Sequence, residues 1–439
     1  MRRQLLSLLA IAGATAPLGA QSLPPIRPLG SVVARTTETF GNVIGVRQLP
    51  GGSLLVNDQT GRKVVMLDAS LSSPKVIADS TSATANAYSG RIAGLVPYRG
   101  DSTLFVDPQS LSMLVIDPAG NIGRVMSVPR PEDASTLAGL QGMPGFDAQG
   151  RLIYRAGFRL SPPPRSANGS FTPPEFPDSS AVLRIDLASR KLDTLGFFKI
   201  PKIKMNVTTD ADGRTTMASE LNPLPLVDDW AVLSDGTLML LRGRDYHADL
   251  IHPDGTRQTV AKMPFDWQRL TDDDKIAFID SVKAQRARLA AQGGGPVTSF
   301  GGSGPGAAGA APQMVIRMGD GGPGGGPGGP PRPAGGPNGA GAPQQQLNFV
   351  SPSELPDYKP PFFAGSTRAD ADGNAWVRTI PTKAYAGGPI YDVINSKGEL
   401  VDRVQVPVGR TIIGFGKGGV VYLSVRDGAT TTIEKASAR

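Results

Sequence analysis

Six arginines occupy matching positions in repeated segments of this sequence, and their chemistry points to anion binding. They are Arg91, Arg155, Arg242, Arg378, Arg410 and Arg426. The planar guanidinium group donates paired hydrogen bonds that fit carboxylate and phosphate groups. Asn42 and Asp229 fall at comparable positions of their segments. If these side chains meet on one face, we expect them to bind an anionic small molecule or peptide. The alternative is that they are solvated loop charges, with the arginines paired to Asp58, Asp107 and Asp229.

The sequence offers little else that could catalyse a reaction or hold a metal. His247 and His252 are the only histidines, and their spacing on a predicted strand puts them on opposite faces. The Asp-x-Asp-Gly segments at 210–213 and 370–373 lack the other ligands of a calcium loop, which favours a role in turns. The chain contains no cysteine and no GxSxG elbow. We therefore expect no metal and no cofactor, and we assign no catalytic residue, although enzymatic activity stays open.

One unit recurs along the chain, and it must position these side chains. The unit is an apolar strand, a Gly-containing turn, a strongly apolar strand, a third apolar strand and a polar fourth strand. Its copies are Val43 to Ala78, Ile92 to Val128, a third from about Gly142, Trp230 to Met263, Ser366 to Val406 and Thr411 to Lys435. Four-stranded units of about 40 to 50 residues are typical of β-propellers. In such a ring, the second strands end on the same face on which the innermost strands begin.

The strand count predicts six blades over residues 31–439. The last copy has only three strands, and residues 31–39 (SVVARTTET) form one strand that belongs to no copy. If that N-terminal strand completes the last blade, the ring closes and loses an exposed edge. The predicted fold is therefore all-β, a six-bladed β-propeller closed by an N-terminal strand.

Insertions interrupt the repeat. The largest spans 266–360 and begins with a predicted helix at 271–291, for which Thr271 is the N-cap. Residues 293–343 are dominated by Gly, Pro and Ala, a composition that predicts disorder. Two shorter insertions, 157–180 and 201–229, could fold over the propeller.

The N-terminus indicates export. Two early arginines, an apolar run from Leu5 to Ala16 and the small residues before Gln21 are typical of a signal peptide at 1–20. Whether the Sec or the twin-arginine route is used stays open. Removing Arg2 and Arg3 from the net charge of +7 leaves +5. That mild excess without a basic run excludes nucleic acid as a partner, and no later stretch predicts a transmembrane segment. The expected location is periplasmic or extracellular.

The run VIGVRQLPGGSLLVNDQTGRKVVMLD resembles an NHL-type repeat, and the chain from Ser31 to Arg439, apart from its insertions, resembles the six-bladed TolB-like propeller superfamily of exported bacterial proteins. The resemblance implies the fold and leaves the function open, because that superfamily includes lactonases, lyases, peptide binders and scaffolds. We favour a non-catalytic module that binds a ligand or a protein. The alternatives are a metal-dependent lactonase-like or lyase-like enzyme and a scaffold that binds an envelope protein.

Overall fold

The computed structural model describes residues 22–81, 88–89, 93–139, 142–158, 176–209, 215–291, 315–318, 348–383 and 385–438. The predicted signal peptide at 1–20 and Arg91 lie outside this part of the chain. Two α-helices occur among the described residues, α1 (Ala134–Leu137) and α2 (Asp272–Ala291). Neither of them combines the length and the apolar character needed to cross a bilayer.

The described strands form six blades of a β-propeller, each built on four antiparallel strands, which confirms the predicted fold. The first two strands, β1 (Ile26–Pro28) and β2 (Val32–Arg35), belong to the last two blades. From the innermost strand outwards, blade one contains β3 (Val43–Gln48), β4 (Leu54–Asp58), β5 (Lys63–Leu67) and β6 (Lys75–Asp79). Blade two contains β7 (Gly94–Pro97), β8 (Thr103–Asp107), β9 (Ser112–Ile116) and β10 (Ile122–Ser127).

The remaining blades follow the same order. Blade three contains β11 (Gly145–Phe146), β12 (Leu152–Arg155), β13 (Ser179–Ile185) and β14 (Leu192–Lys199). Between blades three and four, the chain forms the hairpin strands β15 (Lys204–Thr209) and β16 (Thr215–Glu220). Blade four contains β17 (Asp229–Val232), β18 (Leu238–Arg242), β19 (His247–Ile251) and β20 (Arg257–Thr259), and the strand β21 (Val315–Met318) follows it. Blade five contains β22 (Phe362–Ala369), β23 (Ala375–Thr379), β24 (Ile390–Ile394) and β25 (Leu400–Gln405). Blade six contains β26 (Arg410–Gly416), β27 (Val420–Asp427) and β28 (Thr430–Ser437).

The N-terminal strand β2 closes the ring, as the strand count predicts. It pairs antiparallel with β28, with Val32 opposite Ala436 and Arg35 opposite Glu434. The preceding strand β1 was not predicted. It adds to the outer edge of blade five by pairing parallel with β25, and Arg27 forms an ion pair with Asp402. The N-terminal chain therefore ties blade five to blade six from the outside.

The core consists of apolar faces pressed together between neighbouring blades. Between blades five and six, for example, Trp376 and Val393 pack with Ile412 and Leu423. The innermost strands come so close that some positions accept only glycine. A Cβ on Gly414 of β26 would lie 2.6 Å from Cγ2 and 2.7 Å from the carbonyl oxygen of Val46 in β3. Glycine at such positions allows the inner strands of neighbouring blades to pack closely around the axis.

The insertions after blades three and four assemble into one unit. Its small core combines Leu224 from the first insertion with Leu270, Ile279, Val350 and Leu355 from the second. Helix α2 begins after Thr271, whose hydroxyl accepts a hydrogen bond from the backbone N–H of Asp274 at 3.2 Å. Strand β21 pairs with β16 as a third strand.

Strand β21 lies within the segment for which composition predicts disorder. Val315–Met318 is a short apolar, partly β-branched run, and such a run can add to an open strand edge despite the glycines and prolines around it. The other residues of 293–343 lie outside the described part of the chain.

Candidate functional site

A cavity of about 1990 Å³ runs along the axis of the ring and is lined by the inner strands of all six blades. It has two ends. We call the end where the inner strands begin the first mouth, and it is lined by Asn42, Arg378, Arg410 and Arg426. The end where the inner strands finish is the second mouth. The antiparallel blades bring the ends of the second strands β23 and β27 to the first mouth, which is why Arg378 and Arg426 reach it.

Blade five contributes two arginines and a tyrosine to the cavity wall. They are Arg368 of β22, Arg378 of β23 and Tyr391 of β24. Arg378 lies directly opposite Tyr391 in the strand register, and Arg368 lies opposite Trp376. Among the residues that the structure describes, neither guanidinium has an ion pair or a donated hydrogen bond. Burial lowers the pKa of the Arg368 guanidinium.

Arg410 of blade six also lines the cavity, but it is already neutralised. Its Nε donates to Glu434 at 2.6 Å and a second nitrogen donates to the same carboxylate at 3.2 Å. Glu434 is fully buried and also accepts a hydrogen bond from Arg35 of the closing strand. Burial raises the pKa of Glu434, but the hydrogen bonds from the two arginines outweigh it and hold the pKa below its usual range. The Glu434 carboxylate therefore forms ion pairs with both Arg35 and Arg410.

Arg426 and Asn42 lie on the side of the first mouth between blades six and one. Arg426 is exposed and donates to the carbonyl oxygen of Gly428 at 3.2 Å, and no ion pair to it occurs among the described residues. The Asn42 side chain donates to Gln59 Oε1 at 2.8 Å. Arg426 is therefore a cation at the rim with a free face toward the cavity.

Three predicted site residues do not line the cavity. Arg242 is held by Asp228 at 2.9 Å and by Asp249 at 2.8 Å. Arg155 lies over the ring of Phe198, 5.4 Å from its centroid, and donates to Ser180 at 3.1 Å. These two arginines satisfy their hydrogen-bonding groups within blades three and four, so they do not extend to the axis. The predicted ring of six arginines is thus reduced to Arg378, Arg410 and Arg426, and Arg91 lies outside the described residues.

Asp229 is the third predicted site residue that does not line the cavity, and its role is structural. Its carboxylate accepts hydrogen bonds from the backbone N–H of Thr367 at 2.8 Å and of Trp230 at 3.0 Å, which joins the inner strands of blades four and five. Burial raises the pKa of Asp229 to about 6, although these hydrogen bonds act in the opposite direction. The group is enclosed by strands and is not a ligand-binding carboxylate of the cavity wall.

Two aspartates that the sequence offered as partners for the arginines bind backbone groups instead. Asp58 accepts hydrogen bonds from the N–H groups of Gly41 at 3.2 Å and Asn42 at 3.1 Å. Asp107 accepts one from Ser89 at 3.0 Å. Each carboxylate satisfies the chain just before an innermost strand begins. They are therefore not available to neutralise Arg378 or Arg426.

Arg368 and Tyr391 are site residues that the sequence reasoning missed. The alignment of repeated units compared the ends of the second strands, and these two residues lie on the first and third strands of blade five. The available signal was an arginine inside an innermost strand, where blade four carries Ala231 and blade one carries another arginine, Arg47. A charge at a position that faces the axis marks the cavity wall.

The histidines lie away from the cavity. His247 Nδ1 lies 2.6 Å from Asp245 Oδ1, and its Nε2 lies 3.7 Å from Asp249 Oδ1. His252 Nδ1 lies 3.3 Å from the hydroxyl of Thr237. Across the described part of the chain, no group of three His, Asp or Glu side chains could hold a metal ion. The Asp370 carboxylate accepts the N–H groups of Asp372 and Asn374 in its own turn, and 210–213 lies outside the described residues.

Comparison with known proteins finds similarity only to solved structures. No family profile and no curated protein match the chain. Among solved structures, it is similar to a gluconolactonase from Xanthomonas campestris, with 12% identity over 95% of this chain and 96% of that one and a TM-score of 0.34. It is also similar to virginiamycin B lyase from Staphylococcus aureus, with 9% identity, coverage of 92% and 97% and a TM-score of 0.36. TolB from Acinetobacter baumannii gives 11% identity, coverage of 88% and 65% and a TM-score of 0.30. These similarities carry no functional role over to this chain.

Proposed function

We propose that this chain is an exported, non-catalytic binding protein that holds an anionic ligand at the first mouth of its axial cavity. The observation that carries the proposal is the presence of Arg378 and Arg426 at the first mouth, and of Arg368 further along the cavity wall, without a carboxylate partner among the described residues. Cations that line a concave, partly desolvated surface attract anions more strongly than scattered surface charges do.

The aspartates and glutamate near the first mouth strengthen this proposal. Asp58 is bonded to backbone N–H groups, and Glu434 is shared between two arginines. Arg378 and Arg426 therefore remain at the first mouth without an ion-pair partner among the described residues. An anionic ligand would provide the missing counter-charge, and guanidinium groups would bind its carboxylate or phosphate oxygens in pairs.

The cavity wall gives less support to a lactonase-like or lyase-like enzyme. Among the described residues that line it, there is no histidine and no glutamate, which are common general bases. Its aspartates include Asp147, which forms an ion pair with Arg151 at 2.7 Å, and Asp370, which is engaged in its own turn. No specific observation favours the scaffold alternative.

The test is a titration of the purified protein with citrate, followed by calorimetry at low and at physiological ionic strength. We expect binding that weakens as salt rises, because screening shortens the reach of exposed charges to about 8 Å at physiological ionic strength. Replacing Arg378 and Arg426 together with Gln should weaken binding by about tenfold or more, the loss expected when two charged hydrogen-bond donors are removed.

A matched control removes two exposed basic residues far from the cavity, Arg288→Gln on helix α2 and Lys397→Gln in a blade-five turn. This control changes the net charge by the same amount. If both double variants lose the same affinity, or if citrate does not bind the unaltered protein, the proposed function is wrong.

A further inference from the structure

Four side chains of blade five share one face of its sheet, with Arg378 at the first mouth and Arg368 near the end of β22, further along the cavity wall. Residues two apart on a strand point to the same side, so Trp376 and Arg378 lie together on β23. Their cross-strand partners, Arg368 on β22 and Tyr391 on β24, lie on that side as well. Trp376 and Tyr391 pack against the core of blade six, so this face is turned into the cleft between blades five and six.

Counting only the residues that the structure describes, this cleft holds more positive than negative side chains. Arg368 and Arg378 both lie near enough to Tyr391 for their charges to act on its ionisation. Across the cleft, Arg410 and Arg35 share the single carboxylate of Glu434. Two guanidinium groups without a carboxylate partner repel each other in a half-buried site, and a bound anion would relieve this repulsion.

The hydroxyl of Tyr391 opens into the same space. Tyr391 is only 6% exposed, its ring lies 6.3 Å from that of Trp376, and its hydroxyl has no hydrogen-bond partner among the described residues. Burial raises the pKa of the Tyr391 hydroxyl, although the two arginine charges act in the opposite direction. The phenol therefore keeps its proton near neutral pH and can donate it to an acceptor in the cavity.

We propose that Arg368, Arg378 and Tyr391 form a subsite for a compact, doubly charged anion, the phosphate group of a phosphomonoester. The assignment rests on the proposed function and narrows its ligand class. Two guanidinium forks and one hydroxyl on the same face of blade five supply several donors to the cavity, which matches the three terminal oxygens and the charge of a phosphomonoester better than a single carboxylate. Because these donors lie inside the cavity wall, the ligand is a small soluble molecule and not a headgroup held at a membrane surface.

The test compares methyl phosphate with methyl sulfate by calorimetry at a pH of about 7.5, above the second phosphomonoester pKa of about 6. The two probes have nearly the same shape, but only the phosphate carries two charges. We expect methyl phosphate to bind about tenfold more tightly or better, since one further charge-assisted contact is worth about that factor. Equal affinities would overturn the subsite and leave the citrate result, and with it the proposed function, unaffected.

Two conservative variants probe the donors without disturbing the fold. Tyr391→Phe keeps the buried ring and should weaken methyl phosphate binding by about fivefold, the loss of one hydrogen bond. Arg378→Lys keeps the charge and loses the fork, and it should reduce the preference for phosphate over sulfate. Tyr358→Phe, a half-exposed residue packed on Trp267 away from the cavity, is the control and should bind as the unaltered protein does.

The outcomes separate the parts of the inference. If Tyr391→Phe binds methyl phosphate as tightly as the Tyr358→Phe control does, the subsite is wrong. If vesicles that carry phosphatidate, a phosphomonoester fixed at a surface, capture the protein as well as they capture a known phosphatidate binder, the soluble-ligand assignment is wrong. If neither ester nor citrate binds, both the subsite and the proposed function fail.

Discussion

At the scale of single residues, the distribution of carboxylates decides which arginines can meet a ligand. Arg242 has two aspartate partners and Arg410 has a glutamate, whereas Arg368 and Arg378 have none among the described residues. The difference is not visible in the sequence, because Asp58 and Asp107 end the second strands of their blades as the candidate arginines do in theirs, but they bind backbone N–H groups. Residue types therefore predict anion binding, while the ion pairs show which of the predicted arginines are already neutralised.

Asp229 gives a prediction about pH. Burial raises its folded-state pKa to about 6 from the ordinary 3.8, so between these values the folded state holds the proton more tightly than the unfolded chain does. The contribution of Asp229 to stability therefore falls as pH rises through this window. Relative to the unaltered protein, Asp229→Asn should gain stability from about pH 4 to about pH 6, by up to about 3 kcal/mol for a shift of this size.

Urea unfolding at several pH values measures this difference. The control is Asp280→Asn, which changes an exposed carboxylate on helix α2. If the Asp229→Asn difference stays constant across the window, Asp229 is not the buried, proton-holding group described here.

At the scale of elements, the local pattern of apolar residues and turns predicts the strands of the blades. Strands that pair only with a distant part of the chain are harder to predict. Strand β2 was foreseen because a ring with three strands in its last blade needs a fourth. Strand β1 was not, since it is a three-residue, proline-ended segment that pairs parallel with β25 and shows no alternation of its own. The same reasoning explains β21, which forms only because β16 offers it an edge.

Truncation of the N-terminus distinguishes the two strands. A chain that begins at Gly30 loses β1 and the Arg27–Asp402 ion pair, and it should remain a folded monomer with a lower melting temperature. A chain that begins at Gly41 also loses β2, so β28 becomes an open edge and Glu434 loses one of its two arginines. We expect this second chain to aggregate, because an unpaired strand edge invites pairing with other chains.

Size-exclusion chromatography and thermal melting of both truncated chains provide the measurement. A stable monomer that begins at Gly41 would contradict the role of β2 in closing the ring.

At the scale of the whole molecule, the predicted architecture holds, but the functional face is narrower than the sequence suggested. Six similar blades give a six-fold arrangement of backbone, yet the cations of the first mouth come from blades five and six alone among the described residues. The sequence repeats predict which end of a blade each side chain occupies. They cannot predict that an aspartate neutralises the arginine of one blade while the arginine of another blade has no such partner. The proposed anion binding therefore depends on the asymmetry between the blades.

The export proposal also belongs to this scale. If residues 1–20 form a cleaved signal peptide, the mature chain begins at Gln21, just before the N-terminal segment that binds along blade five. Intact-mass spectrometry of the protein recovered from outside the cytoplasm should give the mass of residues 21–439. Recovery of the full-length chain in the cytoplasm alone would contradict the proposal.

The pairing of Arg35 with Glu434 imposes an order on folding. These residues are 399 positions apart, so strand β2 is synthesised early but can pair only after β28 has been synthesised. Closing an unstructured loop of that length costs about 5 kcal/mol of chain entropy by the logarithmic rule. Once blades one to five have stacked, the rigid arc shortens the gap that the two termini must cross. The ring should therefore close in a late and slow step of folding. Until that step, one edge of β28 remains unpaired.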